Sequence, residues 1–177
     1  MAALMVGNTD ALALLVGRHH SDLLGFLYRM VGGNRPLAED LVQDTFVRVL
    51  SQRSYTAGRR FKPWLYAIAM NLVRDRHRAD VQRPHDACLA EEVSDPGPGP
   101  EEEALSRARQ REVAAAVMAL AEEYRAALLL RYFHGMSLLQ IAEVLDIPVG
   151  TVKSRLSVGS RRLRELLGAT YDEEARW

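Results

Sequence analysis

Apolar residues recur at intervals of three and four along most of the chain, and no stretch of useful length alternates with the two-residue period of a strand. The pattern is clearest in LLQIAEVLDIPVGTVKSRL, Leu138 to Leu156. Leu138, Ile141, Ala142 and Leu145 fall on one face of a short helix. Ser137 just ahead of it, with Gln140 three residues on, is a capping-box signature. Pro148 suits the first turn of a following helix, where a missing N–H costs little. Val152, Leu156, Gly159, Leu163 and Leu167 then recur as the buried stripe of that second helix. Asp146-Ile147-Pro148 leaves room only for a tight turn, so the pair predicts a helix-turn-helix.

The same periodicity divides the rest of the chain. Three helical stretches are predicted before residue 84. Asn8 or Thr9 caps the first, with room for a break near Ser21, and Gly32-Gly33 closes it. Asn34 caps the second, with Pro36 in its first turn and Glu39 and Asp40 near the positive end of its dipole. Its apolar positions are Leu37, Leu41, Val42, Phe46, Val49 and Leu50. A polar loop, SQRSYTAGRR (Ser51–Arg60), leads to a third helix beginning at Pro63. Trp64, Leu65, Ile68, Ala69 and Leu72 form its buried side, and its second half, RDRHRAD, is basic.

A later unit opens between Glu101 and Arg107 with a helix to about Leu120. EEYRAALLLRYF follows, ending at His134 with Gly135 as the C′ residue. The helix-turn-helix comes next, and the acidic tail YDEEARW is expected to fray. Between the units, SDPGPGPEEE (Ser94–Glu103) packs three prolines and two glycines into five residues, which continue neither helix nor strand. The expected fold is therefore all-α: two small helical domains, residues 1–84 and 106–177, joined by a flexible acidic linker, 85–105.

Composition sharpens this picture at three points. First, the 177 residues are 48 % apolar, enough for real cores, and no run approaches the ~18 apolar residues of a membrane span. The N-terminus lacks a basic n-region, so neither a signal peptide nor membrane insertion is expected. Cys88 is the sole cysteine, which excludes an intrachain disulfide and fits a reducing cytoplasm. Second, the formal net charge of zero hides blocks. Residues 1–84 carry 12 basic and 7 acidic side chains, 85–103 carry 7 acidic and no basic ones, and 104–177 carry 11 basic and 9 acidic. Two basic units around an acidic strap suit a nucleic-acid partner. Third, catalytic and metal chemistry find little support. His19-His20 and His85-x-x-Cys88 complete no four-ligand set, and neither a phosphate-cradling glycine loop nor a nucleophile–base pair is evident, so no cofactor and no enzymatic activity are expected.

The second helix of the helix-turn-helix opposes its apolar stripe with Gly150, Ser154, Ser157, Val158 and Arg161, edged by Thr151 and Lys153. From Val149 to Arg164 there are five basic residues and no acidic one. A helix with an apolar back and a polar, basic front fits a DNA major groove. The same face on its own also describes an ordinary solvated surface helix.

Three segments resemble one family in order and spacing. AEDLVQDTFVRVL (Ala38–Leu50), FKPWLYAIAMNLVRDRHR (Phe61–Arg78) and EEYRAALLLRYFHGMSLLQIAEVLDIPVGTVKSRL (Glu122–Leu156) look like the regions shared by bacterial extracytoplasmic-function sigma factors. The resemblance covers nearly the whole chain apart from its ends. It implies a protein that binds core RNA polymerase and recognises promoter −35 and −10 elements. A stand-alone helix-turn-helix regulator is the alternative reading, and a small helical enzyme or metal-binding protein a remoter one.

The resemblance also implies roles for particular residues. Asp40, Gln43, Asp44 and Arg48 match positions that dock on the clamp helices of the polymerase largest subunit, and the C-terminal unit would meet the polymerase flap. Tyr55 matches the aromatic that captures an unpaired −10 base, with Arg59 and Arg60 beside it to neutralise phosphate. Asn71 matches a position near the base-reading surface, although a solvated amide accounts for it equally well from sequence alone. Arg74, Arg76 and Arg78 suit phosphate contact or simple solvation, and Trp64 belongs with the core. Thr151, Lys153, Ser154, Arg155, Ser157, Val158 and Arg161 would face the −35 element. Ser157, Val158 and Ser160 depart from the aromatic or histidine and the arginines common in the family, which leaves the −35 sequence open. The acidic linker would thread toward the polymerase active centre or act as a plain spacer. An anti-sigma factor that masks both binding faces is the further partner implied.

Overall fold

The structure, a computed structural model, describes residues 9–51, 60–82 and 102–168. Every regular element among the described residues is helical, as the periodicity requires. Helix α1, Thr9–Met30, runs unbroken through Ser21. It ends where Gly32 and Gly33 take φ of 68° and 87°, a region a side chain would strain. The Asn34 side chain then accepts from Leu37 N at 3.0 Å and caps α2, Arg35–Ser51.

Ala38, Leu41, Val42, Thr45, Phe46 and Val49 are the buried positions of α2. Thr45 is admitted because its hydroxyl donates to Leu41 O at 2.6 Å, leaving no polar atom unmatched. Leu50, expected in the core, is 53 % exposed. One residue past Val49 it has turned about 100° round the helix, beyond the stripe that α1 and α3 cover.

Helix α3, Phe61–Gln82, starts two residues before the predicted Pro63. A proline in the first turn loses no intrahelical bond, because the first four N–H groups have no partner there. Trp64, Leu65, Ile68, Ala69 and Leu72 are buried as expected, but so are Tyr66, Met70 and Val73 on other faces. Helix α3 has neighbours on both sides: α2 on one and the later α6 on the other.

Helices α4, Glu102–Ala119, and α5, Glu122–Leu128, follow. A single π-helical turn, Leu129–Phe133, extends α5 to His134, and Gly135 (φ 63°) closes it as predicted. Helix α6, Leu138–Leu145, carries both halves of the capping box: Ser137 Oγ accepts from Gln140 N, and Gln140 Oε1 accepts from Ser137 N. Asp146 takes the left-handed conformation (φ 53°) at its end. Helix α7 is Val149–Leu167. Pro148 sits one position earlier than expected, at the N-cap with an extended ψ of 147°, because the turn from Asp146 must finish before helical geometry begins. Its carbonyl accepts from Val152 N at 3.1 Å.

One buried cluster draws on both halves of the chain, from Leu23, Phe26 and Leu27 of α1 through Tyr66 and Met70 of α3 to Leu130, Ile141 and Val152. No helix among the described residues is long and apolar enough to cross a membrane.

Candidate nucleic-acid and polymerase-binding surfaces

Helix α7 owes its two faces to what lies behind it. Val152 and Gly159 are buried, and at Gly159 the helix comes close to Tyr124 and Leu128 of α5. That contact turns Lys153, Ser154, Ser157 and Arg161 to solvent, with Thr151 and Val158 half-buried at the margins. Ser154 donates to Thr151 O at 2.9 Å, and Arg161 lies 3.9 Å from Glu165. Arg162 stacks over the Tyr124 ring at 4.7 Å, a cation–π contact that holds α7 to α5 from the side.

On α2, Asp40, Gln43, Asp44 and Arg48 form one exposed row. Asp40, Gln43 and Asp44 line a groove whose far wall is Asp75 and Arg76 of α3. Arg48 reaches Asp75 at 3.8 Å, and Arg78 reaches the same carboxylate at 3.6 Å. Val47 and Leu50 are exposed on the same helix, apolar companions of the polar row that a reading of α2 as a simple stripe misses.

Among the residues matched to the −10 element, Arg60 and Asn71 are exposed. Tyr55 and Arg59 lie outside the described residues. Arg74 is not free: its guanidinium donates to Leu145 O at 2.8 Å, at the end of α6. Arg155, matched to the −35 element, lies 3.5 Å from Glu123 with its side chain only 23 % exposed. Arg74, Arg78 and Arg155 thus line one crevice of about 580 Å³ between α3 and the helix-turn-helix, opposite Glu122, Glu123 and Asp146. The structure brings residues matched to two different promoter elements together, while Lys153, Ser154, Ser157 and Arg161 stay on the outer face.

Sequence reasoning missed the residues that make this junction. Arg125, Lys62, Tyr66 and His134 carry no local pattern, since each acts on a distant part of the chain. His134 shares a 3.0 Å hydrogen bond with Tyr66, and its ring packs at 4.8 Å from that of Tyr66 and 5.5 Å from that of Phe26. Burial, then Lys62, lowers the His134 pKa from 6.5 to about 4, with Asp22 opposing and Arg29 adding slightly. Burial, then Asp22, raises the Tyr66 pKa, so its hydroxyl stays protonated.

A pH dependence follows. The folded state prefers neutral His134, so this stabilisation is complete above pH 6.5 and is lost as pH falls toward 4. Between pH 7.5 and 5.5 the folded-to-unfolded ratio should drop by up to about tenfold on this account. His19, lowered chiefly by burial, adds in the same direction. The difference between wild type and His134→Phe in denaturant titrations at the two pH values isolates the His134 share. Identical pH dependence in the two proteins would remove His134 from the account.

Among the described residues, no group of three His, Cys, Asp or Glu side chains is placed to hold a metal ion. Comparison with known proteins gives a consistent result. Residues 15–83 match the family described as sigma-70 region 2, and residues 110–163 match sigma-70 region 4. The chain is 33 % identical over 171 residues to the ECF RNA polymerase sigma factor SigW of Bacillus subtilis, covering 91 % of each chain. It is 38 % identical over 172 residues to the RNA polymerase sigma factor CarQ of Myxococcus xanthus, covering 96 % of this chain and 97 % of the other. Among solved structures it superposes on the sigma factor RpoE of Bartonella quintana, in complex with the anti-sigma factor NepR, with a TM-score of 0.73, 25 % identity and coverage of 92 % and 99 %. It also superposes on CnrH in complex with the cytosolic domain of CnrY, with a TM-score of 0.70, 27 % identity and coverage of 96 % and 95 %.

Proposed function

The chain is an extracytoplasmic-function sigma factor of the sigma-70 family, a non-enzymatic protein that directs transcription initiation, and from that premise we propose how its surfaces divide the work. Sigma factors bind core RNA polymerase and promoter DNA. The exposed row Asp40, Gln43, Asp44 and Arg48 docks on the clamp helices of the largest polymerase subunit, with Val47 and Leu50 as its apolar complement. Tyr55, flanked by Arg59 and Arg60, captures an unpaired −10 base, and Asn71 lies near the base-reading surface. The outer face of α7 reads the −35 element through Lys153, Ser154, Ser157 and Arg161, with Thr151 and Val158 at its margins. Arg74, Arg78 and Arg155 meet backbone phosphate. The two DNA-facing units are residues 1–84 and 106–177, and the C-terminal one also meets the polymerase flap. Melting draws on binding energy shared with polymerase and on capture of the unpaired base, not on a covalent step.

The observation that carries this reading is α7 itself: an uninterrupted basic, polar outer face on a helix anchored by Val152 and Gly159, immediately after a capped α6 and a three-residue turn. The deciding experiment combines the chain with core polymerase on a promoter library. Transcription that starts at defined sites, and that changes with single bases in both elements, is expected. DNA binding without polymerase and no transcript would favour a stand-alone regulator. Two solved neighbours are complexes with CnrY and with the anti-sigma factor NepR. We extend to this chain an inhibitor of the same kind that engages both units.

The Arg155–Glu123 pair gives a sharper test. Arg155→Ala should weaken holoenzyme binding to all promoters alike. It should also flatten the salt dependence by about one unit of slope, which is about 3.5-fold in affinity between 50 and 200 mM salt. Glu123→Ala removes the competing carboxylate and should tighten DNA binding modestly. Losses that track single −35 bases with the slope intact would show instead that Arg155 reads sequence.

A further inference from the structure

The hydrogen-bonding groups on the outer face of α7 differ in polarity, and one of them has its polarity fixed by the helix itself. Lys153 and Arg161 are exposed and carry donors only. A serine hydroxyl ordinarily offers one donor and two acceptor lone pairs and rotates to suit its partner, so on its own it distinguishes bases poorly. Ser154 is different, because its proton already has a partner. The hydroxyl donates to Thr151 O at 2.9 Å, a carbonyl one turn back in the same helix. Only the oxygen lone pairs remain to face outward, which makes Ser154 an acceptor. Its position suits contact with a base. Ser154 is exposed, stands opposite the buried Val152 and Gly159, and lies in the second turn of α7. The N-terminal turns of a helix set in the major groove are the ones that meet base edges.

We propose that Ser154 is a specificity-determining acceptor: it takes a hydrogen bond from the exocyclic amino group of adenine or cytosine, and so selects those bases over guanine and thymine at one −35 position. The proposal rests on the −35-reading role given above to α7. The partner follows by exclusion. Phosphate oxygens are acceptors, so a second acceptor gains nothing by facing them. In the major groove guanine offers N7 and O6 and thymine offers O4, which are acceptors too. The donors there are adenine N6 and cytosine N4. A guanine or thymine opposite Ser154 leaves two desolvated acceptors face to face, or makes the hydroxyl release Thr151 O. An amino-bearing base lets both hydrogen bonds stand. The donors of Lys153 and Arg161 favour guanine, with its O6 and N7, so Ser154 gives the face a preference that its cations cannot supply. Ser157, exposed one turn further on, forms no hydrogen bond among the described residues. Its hydroxyl can donate or accept, and it imposes no such choice.

The test reconstitutes holoenzyme from core polymerase and the full chain, and selects transcribed templates from a promoter library randomised across the −35 element. Wild type should restrict one position to adenine or cytosine on one strand, by about five- to tenfold, the net effect of one hydrogen bond. Ser154→Ala should bring the four bases at that position within about twofold of one another and leave the other positions as they are. The site is exposed and alanine is the better helix former, so the variant keeps its fold. A template in which the amino group is deleted at that position, purine for adenine or 2-pyrimidinone for cytosine, then isolates the contact. Wild-type holoenzyme should bind it about fivefold more weakly than the parent template, a difference that Ser154→Ala should abolish. Lys153→Ala and Arg161→Ala report on α7 independently. The acceptor role is overturned if these two shift −35 preferences while Ser154→Ala shifts none. It is equally overturned if the position relaxed by Ser154→Ala favours guanine or thymine in wild type, or if wild type ignores the deleted amino group. If none of the three variants changes any −35 preference, the −35 reading of α7 falls and takes the proposal with it.

Discussion

Tyr55→Ala is expected to leave binding to core polymerase near wild type and to cut open-complex formation on duplex promoters by about 5–150-fold. The size follows from the loss of one base–aromatic stack, ~1–3 kcal/mol. Tyr55 lies in the segment between α2, which carries the proposed clamp-facing row, and α3, whose buried side is anchored by Trp64, Leu65 and Ile68. On this proposal the polymerase contact is made by a helix that ends before Tyr55, so removing the ring leaves it intact. The unpaired base, by contrast, loses the surface that competes with restacking in the duplex. Tyr55→Phe should keep most of the activity, because stacking needs the ring and not the hydroxyl. A fluorescence melting assay on a promoter labelled at the −10 element reads this directly. An alanine variant that opens promoters as fast as wild type would move base capture to another residue.

What the sequence made legible is what local chemistry controls. Ser137 with Gln140, Asn34, the Gly32-Gly33 stop and Gly135 each act within a few residues of themselves, and each stands in the structure where its pattern predicts. The outer face of α7 was legible for the same reason, since one helix's periodicity decides which side chains share a side. The junction was not. Tyr66 and Met70 fall off the α3 stripe and look dispensable until α6 and the π-turn cover them. Arg125 reads as one more basic residue on α5, although it closes the ends of α1 and α4. Leu50 failed in the opposite sense: its hydrophobicity suggested the core, but none of the described residues covers it. Partners separated by 70 to 100 residues leave no trace in a periodic pattern.

Gly159→Leu should unfold or misplace α7, the helix proposed to read the −35 element, while Gly159→Ala is nearly neutral. A Cβ at this position would stand 3.2 Å from Leu128 Cδ1 and 3.2 Å from Tyr124 Cβ. The first neighbour is the end of a flexible side chain and can give by a few tenths of an ångström. The second is fixed to the α5 backbone and cannot move without the helix. Alanine adds only that one carbon, and its gain of about 1 kcal/mol in helix propensity over glycine offsets the tight contact. Leucine must place three further carbons where α5 already lies. Overpacking of this kind costs about 3 kcal/mol or more, and α7 is pushed off α5 together with the Arg162–Tyr124 contact. For a chain of this size that is a fall of roughly 6–12 °C in Tm. Binding to a −35 duplex in the holoenzyme should drop with it, while the contact with core polymerase proposed for α2 persists. Thermal unfolding of both variants, followed by helical circular dichroism and by −35-dependent transcription, separates the two substitutions. A leucine variant with wild-type Tm would mean that α5 and α7 do not meet at Gly159, and that the outer face of α7 is set by something other than this contact.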